Sequence, residues 1–165
     1  MRTSRLTAER LQAEHLEELV VLHSNPPVMA TLGGVRTAEA SAEYLAANLR
    51  YWAKHQFGIR MFRDGAGNFV GRGGIRHAII DGVDEIELAY ALLPEYWRQG
   101  LATEIAQASI TTANQSGIRE LVAFTLTTNV ASRCVMRKVG FLFEKEFVHH
   151  NQPHILYRYQ IRLMP

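Results

Sequence analysis

Apolar residues recur along this chain in two rhythms, and the points where one gives way to the other divide it into elements. A short run over residues 6–11 reads as a strand, and over 14–24 the residues Leu16, Leu19, Val20 and His23 fall on one face at helical spacing. Asn25-Pro26-Pro27 stops that helix, and after a short apolar turn to Leu32 the pair Gly33-Gly34 breaks the chain. Thr37 then offers an N-cap for a helix to about Lys54, with Glu39 and Glu43 near its positive end. Tyr44, Leu45, Leu49 and Trp52 line its apolar side. From Phe57 the period becomes that of strands, expected over 57–63 and 69–80 with a loop at 64–68, and Asp81-Gly82 turns into a third strand over 85–93. From Gly100 to about Ser116, Leu101, Ile105, Ala108 and Thr112 return to helical spacing, and Gly117 is a natural terminator. Residues 120–126 read as a buried strand and 129–139 as a short helix that Gly140 ends. Residues 141–149 and 155–163 read as a closing hairpin across Asn151-Gln152-Pro153-His154.

The order is strand, two helices, three antiparallel strands, helix, strand, helix and two strands. It predicts an α/β (α+β) fold, a mixed, mostly antiparallel sheet flanked by helices. The strand, helix and strand of 85–126 form the expected parallel crossover, and ligands of such sheets favour the carboxyl end of the strand that feeds the helix, here residues 92–103. A length of 165 residues suits one domain over 1–165, since folding at this size buries roughly 70% of the unfolded chain's surface. The net charge of +2, with Arg and Lys dispersed, argues against a nucleic-acid partner. No apolar run reaches the roughly 18 residues of a membrane span and no signal core follows Met1, so a cytoplasmic protein without a membrane partner is expected. Cys134 is the lone cysteine, which excludes an intramolecular disulfide and a cysteine zinc cluster within one chain.

The helix that begins after Gly100 is the chemically suggestive place. Backbone N–H groups at a helix start lack intrahelical partners and the helix dipole adds positive potential, so an anion such as pyrophosphate binds well there. The small residues Gly100 and Ala102 would let phosphate oxygens reach the amides of Gln99, Gly100, Leu101, Ala102 and Thr103, and Arg98 adds a cation. Other nucleotide loops are excluded by inspection: the chain has neither G-x-x-x-x-G-K-[ST] nor G-x-G-x-x-G.

The stretch Glu87-Leu88-Ala89-Tyr90-Ala91-Leu92-Leu93-Pro94-Glu95-Tyr96-Trp97-Arg98-Gln99-Gly100-Leu101-Ala102-Thr103-Glu104 resembles the acetyl-CoA-binding signature of the GNAT N-acetyltransferases. Within them it is most similar to the RimJ/RimL branch, whose pattern resembles Tyr-x-Leu-x-Pro-x-Trp-Gly-x-Gly-x-Ala-Thr-Glu. A second block, Asn129-Val130-Ala131-Ser132 followed by Lys138-Val139-Gly140-Phe141, resembles that branch's Asn-x-x-Ser and Lys-x-Gly-Phe element. The opening over 3–34 is similar too. The resemblance implies a GNAT-like domain with acetyl-CoA as co-substrate and no metal. It also implies an amine acceptor, either a protein N-terminal α-amine or a small molecule. Two positions depart from the pattern. Arg98 stands where the branch has Gly, in a backbone expected to be ordinary. Met136 stands where many GNAT enzymes have a Tyr as general acid, leaving Ser132 as the nearest hydroxyl.

For the acceptor, the resemblance suggests a carboxylate base at Glu87, with Glu85 as the fallback of the same strand parity. The coenzyme arm would lie along Leu92 and Leu93, with the amide near Leu92 stabilising the charge that develops on the acetyl oxygen. Attack is then direct, in a ternary complex. Cys134 is read as a small core residue of its helix and not a nucleophile, and Asn129 as a helix cap compatible with a coenzyme contact. His149, His150 and His154 read as solvated turn residues, and Tyr44, Trp52 and Trp97 as core or cleft aromatics. Specificity would come from residues 26–34, the helix after Thr37 and the turn near His150. The edge of the closing hairpin offers a route to a homodimer. The alternatives are a non-catalytic acyl-CoA-binding regulatory module, and an antibiotic or polyamine acetyltransferase built on the same chemistry.

Overall fold

Helix starts follow local capping chemistry. In the computed structural model, which describes residues 1–161, the Thr37 hydroxyl accepts from the amide of Ala40 (3.2 Å), and Asn129 Oδ1 accepts from the amide of Ser132 (3.2 Å). These caps begin α3 (Ala38–His55) and α5 (Val130–Lys138); the other helices are α1 (Leu16–His23), α2 (Pro26–Met29) and α4 (Leu101–Gln115). The strands are β1 (Thr7–Arg10), β2 (Ile59–Arg63), β3 (Phe69–Ile80), β4 (Val83–Leu92), β5 (Glu120–Leu126), β6 (Leu142–His149) and β7 (Gln152–Gln160). The Asn-Pro-Pro segment does more than stop α1. Asn25 Oδ1 accepts from the Val28 amide and Pro26 takes the first helical position, where its missing N–H costs nothing, so the segment starts a one-turn helix.

The strands form one sheet in the order β1-β2-β3-β4-β5-β7-β6, antiparallel throughout except for the parallel pair β4–β5 that α4 connects. Successive strand residues point to opposite faces, and this sorts the helices. Ala91 and Leu93 pack with Leu22, Val28 and Met29 of the α1–α2 region. Leu92, between them, packs with Leu101 and Ile105 of α4, and Leu88 with Ala106, Ala113 and Met136 of α4 and α5. The two helical layers therefore lie on opposite faces. The fit under α4 is close: a Cβ added at Gly73 would stand 2.4 Å from Ile105 Cγ2.

Two local expectations are corrected. The closing hairpin turns at His150-Asn151, not across residues 151–154. His149 pairs with Gln152, Val148 pairs with Pro153, and both turn residues take positive φ (47° and 59°), as a two-residue turn with the sheet's twist requires. Residues 162–163 of the expected last strand lie outside the described residues. Cys134 is exposed and Met136 is the buried residue of α5. Positions two apart on a helix differ by about 200°, so burying one turns the other to solvent.

Candidate active site

The segment from Trp97 to Gly100 makes the tight turn into α4. Gly100 takes φ 78° and supplies no capping side chain, and the first bond of the helix runs from the Glu104 amide to the Gly100 carbonyl (3.2 Å). The amides of Arg98, Gln99, Gly100, Leu101, Ala102 and Thr103 have no hydrogen-bond partner among the described residues. Six consecutive donors at the positive end of a fifteen-residue helix form an anion cradle. Arg98 also takes a positive φ, 60°, so the expectation of ordinary backbone there is wrong. The turn needs the left-handed conformation that glycine adopts without strain. The loop is anchored from below by Arg5, whose guanidinium donates to the Gln99 carbonyl (2.7 Å) and to Glu104 (2.8 Å). Arg5 lies some hundred residues away in sequence, and no local pattern marked it.

The cradle stands beside an opened strand edge. The Leu93 amide donates to the Val70 carbonyl (2.9 Å), so strand alternation turns the Leu92 amide to the opposite side, toward β5. There β4 and β5 register only at Glu87↔Val122. From Leu88 to Leu92 the edge therefore has no ladder partner. The Trp97 indole N–H donates to the Leu92 carbonyl (2.8 Å), which ties the loop to that edge.

Around the edge, the side chains expected to act are arranged unequally. Glu87 is buried, with Oε2 on Arg76 Nε (3.1 Å), while Oε1 makes no hydrogen bond among the described residues. Glu87 holds the Arg76 guanidinium above its ordinary pKa, so this partner stays charged. Glu85, the fallback base, is gripped by both terminal nitrogens of Arg158, which also bind Glu120 and Glu144, and this leaves it a structural role. Ser132 Oγ lies 2.8 Å from the hydroxyl of Tyr90. Burial pushes the Tyr90 pKa up to about 12, against a smaller opposing pull from the hydrogen bond with Ser132. Tyr90 was not marked as functional by its position in the signature; it becomes visible only when α5 packs over β4. Met136 is buried in the core between these elements. Asn129 caps α5 with Oδ1 and donates through Nδ2 to Thr125 (2.9 Å), so both ends of its amide are engaged. Trp52 is a core residue, its indole N–H on the Ile59 carbonyl (2.7 Å). His149 and His154 pack edge-on or tilted against Phe124 and Phe147 beside the hairpin turn, and His154, expected as a solvated turn residue, is buried on β7.

Several known proteins are similar to this chain in sequence or in fold. An N-acetyltransferase of Bacillus subtilis, YoaA, itself uncharacterized, is 24% identical over 159 residues, covering 92% of this chain and 89% of that protein. An acetyltransferase structure from Agrobacterium tumefaciens superposes with a TM-score of 0.84 at 22% identity, over 98% of this chain and 94% of that one. The RimL ribosomal alpha-N-protein acetyltransferase in complex with coenzyme A superposes with a TM-score of 0.78 at 17% identity, over 96% of each chain. The domain model described as acetyltransferase (GNAT) matches residues 5–142, from the anchoring Arg5 to the first residue of β6, and the chain belongs to that family of acetyltransferases.

Proposed function

We propose that this acetyltransferase passes the acetyl group of acetyl-CoA directly to a primary amine, and that the six unpartnered amides of residues 98–103 hold the pyrophosphate. That cradle is the observation that carries the reading. The amides, Arg98 and the helix dipole bind the doubly charged group, and the open edge up to Leu92 offers backbone groups to the pantetheine arm, whereas the expected contact at Leu93 is not available, its amide being on the Val70 carbonyl and its carbonyl on the Tyr96 amide. The coenzyme supplies an acyl thioester, whose carbonyl carbon accepts the amine as the C–S bond breaks.

The remaining steps belong to the chain's own residues. A primary amine is mostly protonated near neutrality, with unperturbed values of about 8 for an α-amine and 10.4 for lysine, so it must lose a proton to attack. Glu87 Oε1, free where Oε2 is held by Arg76, takes that proton directly or through water. The Leu92 amide faces the open edge and stabilises the carbonyl oxygen as it gains charge. On the leaving side, a thiol of pKa about 8.5 departs as a fair thiolate. Tyr90, with a pKa of about 12, is too weak an acid to protonate it outright. The Tyr90–Ser132 pair therefore donates a hydrogen bond to the departing sulfur and leaves its protonation to solvent. The likeness to RimL, a ribosomal alpha-N-protein acetyltransferase, supports an amine acceptor of the peptide or small-molecule kind.

The test is release of free coenzyme thiol from acetyl-CoA across a panel of peptide and small amines. Glu87→Gln should lower kcat/KM for an accepted amine about 10²–10⁴-fold and flatten the acidic limb of its pH profile. Full activity of Glu87→Gln at every pH would remove the base assignment. Failure of the parent protein to bind coenzyme A would remove the cradle.

A further inference from the structure

On the α1–α3 side of the sheet, two arginines approach one tyrosine ring. The Arg72 guanidinium lies 4.8 Å and that of Arg36 5.2 Å from the centroid of Tyr44. Neither has a carboxylate partner among the described residues, and the Tyr44 hydroxyl is buried without a hydrogen-bond partner. Arg72 is only 5% exposed. Its Nε donates to His23 Nε2 (3.3 Å), while its two terminal nitrogens make no hydrogen bond among the described residues. His23 accepts from Arg72 at Nε2, so its proton sits on Nδ1 and is donated to Ser41 Oγ (3.1 Å). Buried Ser41 and His23 thus fix the stem side of Arg72 and leave its fork unused.

A buried cation is ordinarily paired, because an unpaired charge loses its hydration without compensation. Here Arg72 and Arg76 both act on Arg36, and Glu87 pairs only with Arg76. Burial first, and then Arg72, holds Arg36 below its ordinary pKa, a mark of crowded positive charge. The cluster also lies beside the reacting edge. Arg72 is directly across the ladder from Ala91, and Arg76 from Glu87, the proposed base. An anion bound here would sit within one small molecule's length of the amine it belongs to.

We propose that Arg72 and Arg36, mounted on Tyr44, form a carboxylate-binding subsite, so that the acceptor is an amine that also carries a carboxylate. This rests on the acyl-transfer reading above. A planar fork matches a carboxylate with paired hydrogen bonds, and an aromatic ring beneath it restricts its rotation. Two sources supply such a carboxylate, a free α-amino acid and an acidic side chain of an amino-terminal residue; the chemistry is the same and the arms of the test separate them.

The experiment is titration calorimetry on the protein both with and without coenzyme A, using N-acetyl derivatives of the amino acids as free acids and as carboxamides. At least one free acid is expected to bind at least about tenfold more tightly than its own carboxamide. Preference for the N-acetylaspartate or N-acetylglutamate carboxamide over the other carboxamides would assign the side-chain carboxylate instead. Arg72→Gln and Arg36→Gln should each erase the discrimination while leaving coenzyme A affinity unchanged. Arg36 is only half-buried, so its variant keeps the test open if Arg72→Gln fails to fold. Arg72→Lys should restore part of the preference. Equal binding of acids and carboxamides with no preference for the acidic side chains, no binding of either set at millimolar concentration, or discrimination that survives both substitutions would overturn the proposal. Loss of coenzyme A binding by the parent protein would instead count against acyl transfer, because the acid preference is read separately on unloaded protein.

Discussion

Arg98 carries a strain that its neighbours impose. A non-glycine residue in the left-handed region costs about 1–2 kcal/mol, and Arg98 sits there at φ 60° because the chain must turn from the Trp97 anchor into α4 within a few residues. Replacing it with glycine relieves the strain and loosens the unfolded chain, two effects of opposite sign. Arg98→Gly is therefore expected to leave stability unchanged or to raise it by up to about 1 kcal/mol, read from urea unfolding. Its coenzyme A affinity should fall by severalfold at low salt and converge on the parent's at high salt, since only a solvent-exposed charge is lost. A drop in stability of that size would mean that the Arg98 side chain makes contacts the fold depends on.

At the scale of elements, α5 brings Ser132 over Tyr90, and the start of that helix depends on one side chain. Asn129 caps it through Oδ1 and ties it to β5 through Thr125. Asn129→Ala should cost about 1–2 kcal/mol in urea unfolding, whereas Asn129→Asp keeps the cap acceptor and should recover most of that loss. Turnover should follow the same order, because the Tyr90–Ser132 pair is positioned by the first turn of α5. Equal stability of the Ala and Asp variants would show that the cap contributes nothing. The α4 cradle depends in the same way on Gly100, whose left-handed φ lets a helix begin without a side chain competing for its amides.

For the whole molecule, acid should be felt through two groups that join distant elements, the buried His23 and the partly buried Glu104. Burial first, then Arg72 and Arg36, lowers the His23 pKa to about 3. For Glu104, burial by itself acts upward, but hydrogen bonds from Thr3, Arg5 and Ser4 outweigh it and bring the pKa to about 2. Both groups prefer the deprotonated form in the fold, so the unfolded chain binds protons first as the pH falls. The stability linked to His23 is complete above its unfolded value of about 6.5 and is lost as pH falls toward 3; that linked to Glu104 is complete above about 4.5 and is lost toward 2. Between about pH 6.5 and 5, unfolding free energy should drop by on the order of 2 kcal/mol, and this drop should be absent in His23→Gln. An unchanged slope in that variant would place the titration elsewhere.

Much of this molecule was written in short windows of its sequence. The caps at Thr37 and Asn129, the Asp81-Gly82 turn and the helix start at Gly100 all rest on interactions within about four residues, so sequence alone determined them, and the apolar pattern also marked the extent of β3 and β5. The proposed coenzyme cradle was legible in the same way, because its donors are consecutive backbone amides, although its Arg5 anchor and the left-handed Arg98 were not. The acceptor half joins His23 of α1, Arg36 before α3, Ser41 and Tyr44 of α3, and Arg72 and Arg76 of β3. Each of these reads alone as an ordinary core or surface residue. The lack of a carboxylate partner for Arg36 and Arg72 among the described residues, and the burial of this group, become informative only when the helices close over the sheet. Tertiary structure likewise decided that Cys134 faces solvent, that Glu85 is held by Arg158, and that Tyr90 meets Ser132, because helix register and ion pairing depend on surfaces brought from far along the chain.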